Sequence, residues 1–215
     1  MNMALLGASN ATGMQLVSRA LEQDYSIHLL TEHPELIHRA PDGLTIYKGS
    51  AESREDVQLA VRGCAYVVAV LDSGEGAVTP AMTCLVEVLK ASRSLRRLVC
   101  VSTIGAGDTR RQALQTSGLF RALRVAARGA FLQDATDAEA VVRQSGLPYV
   151  ILRTTQLTND RGQKPVIAVS ASDAPPRRMP RADVARFVMG MLQEPGWEGR
   201  EVTVGVARER VSPEA

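Results

Sequence analysis

The chain has little cysteine: Cys64, Cys84 and Cys100 are the full set in 215 residues. They are widely spaced among apolar residues and match no zinc or disulfide spacing, so reduced core thiols and no metal site are expected. Net charge is also scarce, at +2, too little to argue for a nucleic-acid or membrane-surface partner. No apolar run approaches the roughly 20 residues that span a bilayer. The N-terminus enters an apolar run directly, without a basic segment before a cleavable region, and a cytoplasmic location is the expectation. Internal repeats, low-complexity tracts and linkers are missing too. A single domain over residues 1–215 is therefore expected, with 45% hydrophobic and 22% charged residues, an ordinary globular mixture long enough for a substantial core.

What is present begins with Met3-Ala4-Leu5-Leu6, an apolar run that leads into Gly7-Ala8-Ser9-Asn10-Ala11-Thr12-Gly13. Helical spacing of Met14, Val17 and Leu21 follows, then a second apolar run, Ile27-Leu29-Leu30, ending on the acid Glu32. Strand, tight small-residue turn, helix and strand form the first half of a dinucleotide-binding unit. Gly7 supplies the positive φ that a strand needs to reverse directly into a helix. The helix N-terminus offers unpaired N–H groups and partial positive charge to a pyrophosphate. Gly13 lets the helix approach the strands, and Asn10 stands where a middle glycine would admit the phosphate.

The same alternation continues. Leu44 to Tyr47 reads as a third strand, followed by a helix capped by Ser53 with Glu55 and Asp56 in its first turn and Val57, Leu59, Ala60 and Val61 on its apolar side. Tyr66 to Leu71 is a doubly buried parallel strand, left at its carboxyl end by Asp72 to Gly76. A helix from about Thr79 to Ser92 carries Met82, Leu85, Val86 and Leu89 on one side, and the run Leu98 to Val101 stops at Ser102-Thr103. The pattern predicts an α/β doubly wound, mostly parallel sheet with helices on both faces. From Gly105 the rhythm changes. Residues 104–130 start with a flexible loop, Ile104 to Asp108, and 155–180 form a polar, proline-containing excursion with one strand candidate, Val166 to Val169. Between and after them come a helix around Leu132 to Gln144, a strand Tyr149 to Arg153, a helix Arg181 to Leu192 and a strand Glu201 to Val204. The two irregular segments follow strand carboxyl ends and are expected to cover a ligand there.

Three segments carry a family resemblance: Gly7 to Gly13, Arg97-Leu98-Val99-Cys100-Val101-Ser102-Thr103-Ile104-Gly105, and Leu147-Pro148-Tyr149-Val150-Ile151-Leu152-Arg153. Leu157-Thr158 and Arg181-Ala182-Asp183-Val184-Ala185 extend it. In this order they resemble the atypical short-chain dehydrogenase/reductase proteins with a single NAD(P)H-binding domain, the group of NmrA-like proteins and small flavin and biliverdin-IX-beta reductases. The resemblance implies a Rossmann-like fold, a bound nicotinamide dinucleotide, and hydride transfer in those members that are enzymes.

It also distributes roles. Gly7, Ser9, Asn10, Ala11, Thr12 and Gly13 are expected at the pyrophosphate. Glu32 takes the place where many members carry a basic residue for the 2′-phosphate of NADP, and a carboxylate accepts from a ribose diol but repels phosphate. NAD(H) is therefore favoured over NADP(H), with His33 and Arg39 as complicating neighbours. Gly49-Ser50 replaces the family's Gly-Asp near the adenine, and Leu71, Ser102 and Thr103 close strands on the same edge. Ser102 matches the serine placed beside the nicotinamide. The loop Arg153-Thr154-Thr155-Gln156-Leu157 offers Thr155 or Gln156 where relatives carry a second polar residue, and Gln156 is taken with Ser102 as the catalytic pair. Neither Thr155 nor Gln156 titrates near neutral pH, and the Tyr-x-x-x-Lys pair of classical short-chain dehydrogenases is missing. Arg121, Arg124 and Arg128 share a face if helical, either meeting an acidic ligand or forming a solvated basic face opposite Leu119 and Leu123. His28 and Asp183 read as structural. The expected partners are a dinucleotide and a small conjugated acceptor, flavin- or quinone-like. The alternative is an NmrA-like redox sensor that binds the dinucleotide, turns nothing over and signals to a protein partner. The chain's end at Ala215, without an added partner-binding domain, favours the enzyme.

Overall fold

Successive strand residues point to opposite faces, so a run that is apolar throughout needs a cover on both sides. The computed structural model of the chain describes residues 1–7, 11–37, 40–70, 78–115, 128–163 and 165–207. Its central strands are β1 (Asn2–Leu6), β2 (Ser26–Thr31), β3 (Leu44–Lys48), β4 (Tyr66–Ala69), β5 (Arg97–Thr103) and β6 (Tyr149–Thr154). With β8 (Val166–Val169) and β10 (Arg200–Val206) they make one eight-stranded sheet, ordered β3-β2-β1-β4-β5-β6-β10-β8. Neighbours run parallel except β8, which lies antiparallel on β10. This is an α/β doubly wound, mostly parallel sheet, as the alternation predicts.

The two faces have separate covers. Met3, Leu5, Ile27, Leu29, Val68 and Val99 point to one side, where α1 (Ala11–Leu21) and α6 (Arg181–Met191) bring Leu16, Val17, Val184 and Val188. Ala4, Leu6, Leu30, Val67, Leu98 and Ile151 point to the other, under α2 (Arg54–Val61), α3 (Val78–Lys90) and α5 (Gly129–Arg143). Cys64 and Cys100 belong to this second layer, and burial pushes both thiols up to about 12. Cys84 is partly buried against the same layer. At the amino end of β5 the buried Arg97 guanidinium donates to the last carbonyls of α6, Met191 and Leu192, and pairs with Glu198.

Several expectations are corrected. Met14 is 37% and Leu59 52% exposed. The buried side of α1 runs through Thr12, Gly13, Leu16, Val17 and Ala20, and that of α2 through Val57, Ala60 and Val61; helical period alone leaves the phase of the stripe open by one residue. The segment after β5 folds into a hydrogen-bonded turn: Gly105 N donates to Thr109 Oγ1 at 2.9 Å, and that hydroxyl donates to Ala106 O at 2.7 Å. A short helix, α4 (Arg110–Gln115), follows. The excursion after β6 holds two further strands, β7 (Leu157–Thr158) and β9 (Met179–Pro180), which pair in parallel. Asp183 and His28 each lie against backbone groups. Asp183 Oδ1 accepts from Gln163 N at 2.9 Å, and His28 Nδ1 lies 2.9 Å from Ala60 O. Arg128 stacks over the Phe131 ring, while Arg121, Arg124, Leu119 and Leu123 lie outside the described residues. Among the described residues no helix is long and apolar enough to cross a membrane, and no cluster of His, Cys, Asp or Glu could hold a metal ion.

Helix starts are secured in two ways. Ser53 Oγ accepts from Asp56 N at 3.3 Å, the local cap expected from the sequence. The N-terminus of α3 is capped from a distance: Asp134 on α5 accepts from Val78 N at 2.7 Å and Thr79 N at 3.1 Å. Partial burial raises the Asp134 carboxyl, but hydrogen bonds from Thr79 and Val78 outweigh it and leave its pKa below the ordinary 3.8. Since the folded value lies below the unfolded one, this contribution is complete above 3.8 and is lost as pH falls through the lowered value. Replacement Asp134→Ala is expected to cost about 1 kcal/mol at neutral pH. In urea titrations followed by circular dichroism, the gap between variant and parent should close as the solution is acidified below that range.

Candidate functional site

Parallel strands present their carboxyl ends on one edge, and the register fixes which residues meet there. Leu6 pairs with Leu30 on one side and Ala69 on the other, so Gly7 stands beside the residues that follow β2 and β4. Chain order reverses between β1 and β4, and a crevice at such a point is the ligand position of open α/β sheets. Gly7 has φ of +79°, as its place in the motif requires. Helix α1 starts at Ala11 with Thr12 and Gly13 buried, so its N-terminus opens on this edge. Ser9, Asn10 and Leu71 lie outside the described residues. A positive-φ glycine running towards a helix N-terminus at this edge fits a dinucleotide pyrophosphate.

On the β2 side, Glu32 is exposed immediately beyond the strand and has no hydrogen bond or ion pair among the described residues. His33 is turned to Glu35, with Nδ1 2.9 Å from Oε1. The Glu35 carboxyl is held low by its own backbone amide first and by His33 second. Arg39 lies outside the described residues. Beyond β3, Ser50 N donates to Asp56 Oδ2 at 3.0 Å, and Ser50 Oγ accepts from Glu52 N at 3.3 Å. A Cβ on Gly49 would fall 2.4 Å from Asp56 Cγ. The Gly49-Ser50 turn is thus shaped around Asp56, which the sequence reading missed.

The other side of the crevice is built by β5 and β6. Ser102 pairs with Arg153 and Thr103 with Thr154, so both strand ends stop at the same level. Thr155 is buried and its hydroxyl donates to Arg177 O at 2.9 Å. Gln156 is exposed on the strand exit and its carbonyl accepts from Met179 N. Of the two candidates for the second polar position, Gln156 is therefore the accessible one. From Glu32 to Ser102 the edge crosses three strand spacings, about 14 Å at about 4.8 Å each.

Beneath Ser102 lies a group of charges that sequence reasoning did not assemble. Arg153 is 1% exposed and Glu139 on α5 is fully buried. Arg153 Nε donates to Glu139 Oε1 at 2.9 Å and its Nη2 to Oε2 at 2.7 Å, a bidentate pair. The same guanidinium reaches Glu201 on β10 at 2.8 Å and Asp108 at 2.9 Å. Burial lowers the Arg153 pKa, and the Glu139 hydrogen bonds more than restore it. Arg143 in turn holds Glu201, whose carboxyl it keeps below the ordinary range. Ser102 Oγ donates to Glu139 Oε1 at 2.7 Å. Two signals were in the sequence: an arginine ending a strand of buried apolar residues, and Glu139 on the helix side marked by Ala135, Ala138 and Val142.

A second buried group joins the irregular segments. Gln112 on α4 is 1% exposed. Its amide donates to Ser170 O at 2.7 Å and Asp173 O at 2.9 Å, and accepts from Thr203 Oγ1 at 2.8 Å. The 104–130 and 155–180 regions, predicted separately, are tied together at the sheet's carboxyl edge.

No curated protein matches the chain in sequence. Among solved structures, an anaerobillin reductase from Escherichia coli O157:H7, ChuY, superposes with a TM-score of 0.83 at 18% identity, covering 100% of both chains. A short-chain dehydrogenase/reductase from Veillonella parvula in complex with NADP gives 0.77 at 21% identity, over 95% of this chain and 94% of that one. An NAD-dependent epimerase/dehydratase candidate from Bacillus halodurans gives 0.75 at 18%, over 96% and 95%. At these identities the likeness establishes the fold. A family model described as NAD(P)H-binding matches residues 7–195, and the chain belongs to that NAD(P)H-binding family.

Proposed function

We propose that the protein is an NAD(P)H-dependent reductase that passes a hydride to a small conjugated acceptor, flavin-like or quinone-like. The observation that carries this reading is that, among the described residues, the polar groups at the β5–β6 end are engaged with one another or do not titrate. The Ser102 hydroxyl is engaged with Glu139, the Thr155 hydroxyl with Arg177 O, and Gln156 does not titrate. Glu139, Asp108 and Glu201 each face Arg153. Such a site suits an acceptor that takes hydride without an enzyme proton. The bound dinucleotide supplies the hydride, solvent supplies the proton, and the chain's own contribution is position. In this reading Gly7, Ser9, Asn10, Ala11, Thr12 and Gly13 hold the pyrophosphate. Glu32 and Ser50 face the adenosine half, while Leu71, Ser102, Thr103 and Gln156 face the nicotinamide and acceptor. The unpaired Glu32 carboxylate gives NAD(H) the preference. A reductase among the structural neighbours supports this at the level of the fold.

The same observation equally favours a second reading, a dinucleotide-binding redox sensor without turnover. Purified protein mixed with NADH or NADPH and FMN, FAD or a quinone should oxidise the cofactor above background, read at the reduced-nicotinamide absorbance. Binding without turnover across that panel would establish the sensor instead, and failure to bind either dinucleotide would sink both readings. Replacement Glu32→Arg should move the NADH/NADPH preference toward NADPH by about tenfold, about 1.4 kcal/mol. An unchanged preference would remove Glu32 from the ribose site.

A further inference from the structure

Ser102 has one proton and two lone pairs. The proton is directed at Glu139 Oε1, 2.7 Å away. That oxygen also accepts from Arg153 Nε at 2.9 Å, and its partner Oε2 accepts from Arg153 Nη2 at 2.7 Å. A carboxylate held by both arms of a guanidinium accepts hydrogen bonds and has none to donate. Glu139 is also locked in place. It is fully buried, and Gly107, at φ +57°, leaves no room above it: a Cβ there would sit 2.4 Å from Glu139 Oε2 and 2.6 Å from Arg153 Nη2. The Ser102 carbonyl is occupied as well, accepting from the Thr154 hydroxyl at 3.1 Å.

We propose that Glu139 is a positioning residue that fixes the polarity of Ser102, so that the serine meets the nicotinamide end of the cofactor as a hydrogen-bond acceptor and not as a donor. This rests on the dinucleotide reading above. An accepting Ser102 pairs with the N–H of a nicotinamide carboxamide or with an N–H or O–H of the acceptor. It gives no donor to an oxygen on which negative charge develops, the requirement of simple ketone or aldehyde reduction.

The test compares two ligands that differ in that donor. Calorimetric Kd values are measured for NAD⁺ or NADP⁺, whichever binds more tightly, and for its 3-acetylpyridine analogue. The analogue keeps the carbonyl and loses the N–H. The native protein should favour the carboxamide by about tenfold, the worth of one buried hydrogen bond. Ser102→Ala should abolish the discrimination. Glu139→Gln should weaken it, because an amide lets the serine proton turn to the ligand, and should leave Ser102→Ala unchanged when the two are combined; a purely structural loss would instead add. Thermal unfolding of each variant reports folding, and if Glu139→Gln does not fold, the Ser102→Ala comparison decides alone. A discrimination ratio equal in native and Ser102→Ala protein overturns the assignment while leaving the dinucleotide reading intact. No binding of either natural dinucleotide overturns both.

Discussion

The candidate site rests on the buried pair between Glu139 and Arg153. Two charges removed from water carry a desolvation cost of several kcal/mol each, which only close, fully hydrogen-bonded geometry offsets. Here the guanidinium meets Glu139, Glu201 and Asp108. Those partners come from α5, β10 and the turn after β5, while Arg153 itself is on β6. Removing one member of such a pair strands the other charge and costs about 3–5 kcal/mol, so the group specifies how four elements meet. Asp108 is 64% exposed and Glu201 20%, so the group meets solvent at these two carboxylates. The Ser102 hydroxyl, donating to Glu139, joins the end of β5 to this rigid assembly.

The division between legible and hidden features follows the range of the interactions. Strands β1, β2, β4 and β5 are short apolar runs, and each is recorded in consecutive residues. The glycine turn and the Ser53 cap are local as well, since each needs a few adjacent residues. Glu139 and Arg153 are 14 positions apart but sit on different elements, and Asp134 caps a helix start 56 positions earlier. No local pattern relates such residues until the sheet order is known. Met14 and Leu59 failed for a different reason. Their helices were correctly read, but which apolar residue faces the sheet is decided by the angle at which the helix lies on it.

The site also shows how a resemblance can be sharpened by geometry. Thr155 and Gln156 were equivalent as sequence, since both are polar, uncharged and adjacent. Burial separates them: Thr155 is buried with its hydroxyl on the Arg177 carbonyl, and Gln156 is exposed between β6 and β7. Likewise Glu32 and His33 were read as neighbours with opposing effects on a phosphate. The structure directs His33 to Glu35 and leaves the Glu32 carboxylate alone at the end of β2 among the described residues.

Gln112 has a wider implication for how this scaffold can change its chemistry over evolutionary time. One buried amide joins α4, the Ser170–Asp173 turn and β10, and the same excursion contributes the outer strand β8 to the sheet. The two irregular segments are therefore also masonry of the sheet's edge. A lineage drifting toward a new acceptor cannot remodel one of these regions in isolation. It must compensate in the other two or lose stability first, so substrate range here should diversify by coordinated sets of replacements rather than by single steps.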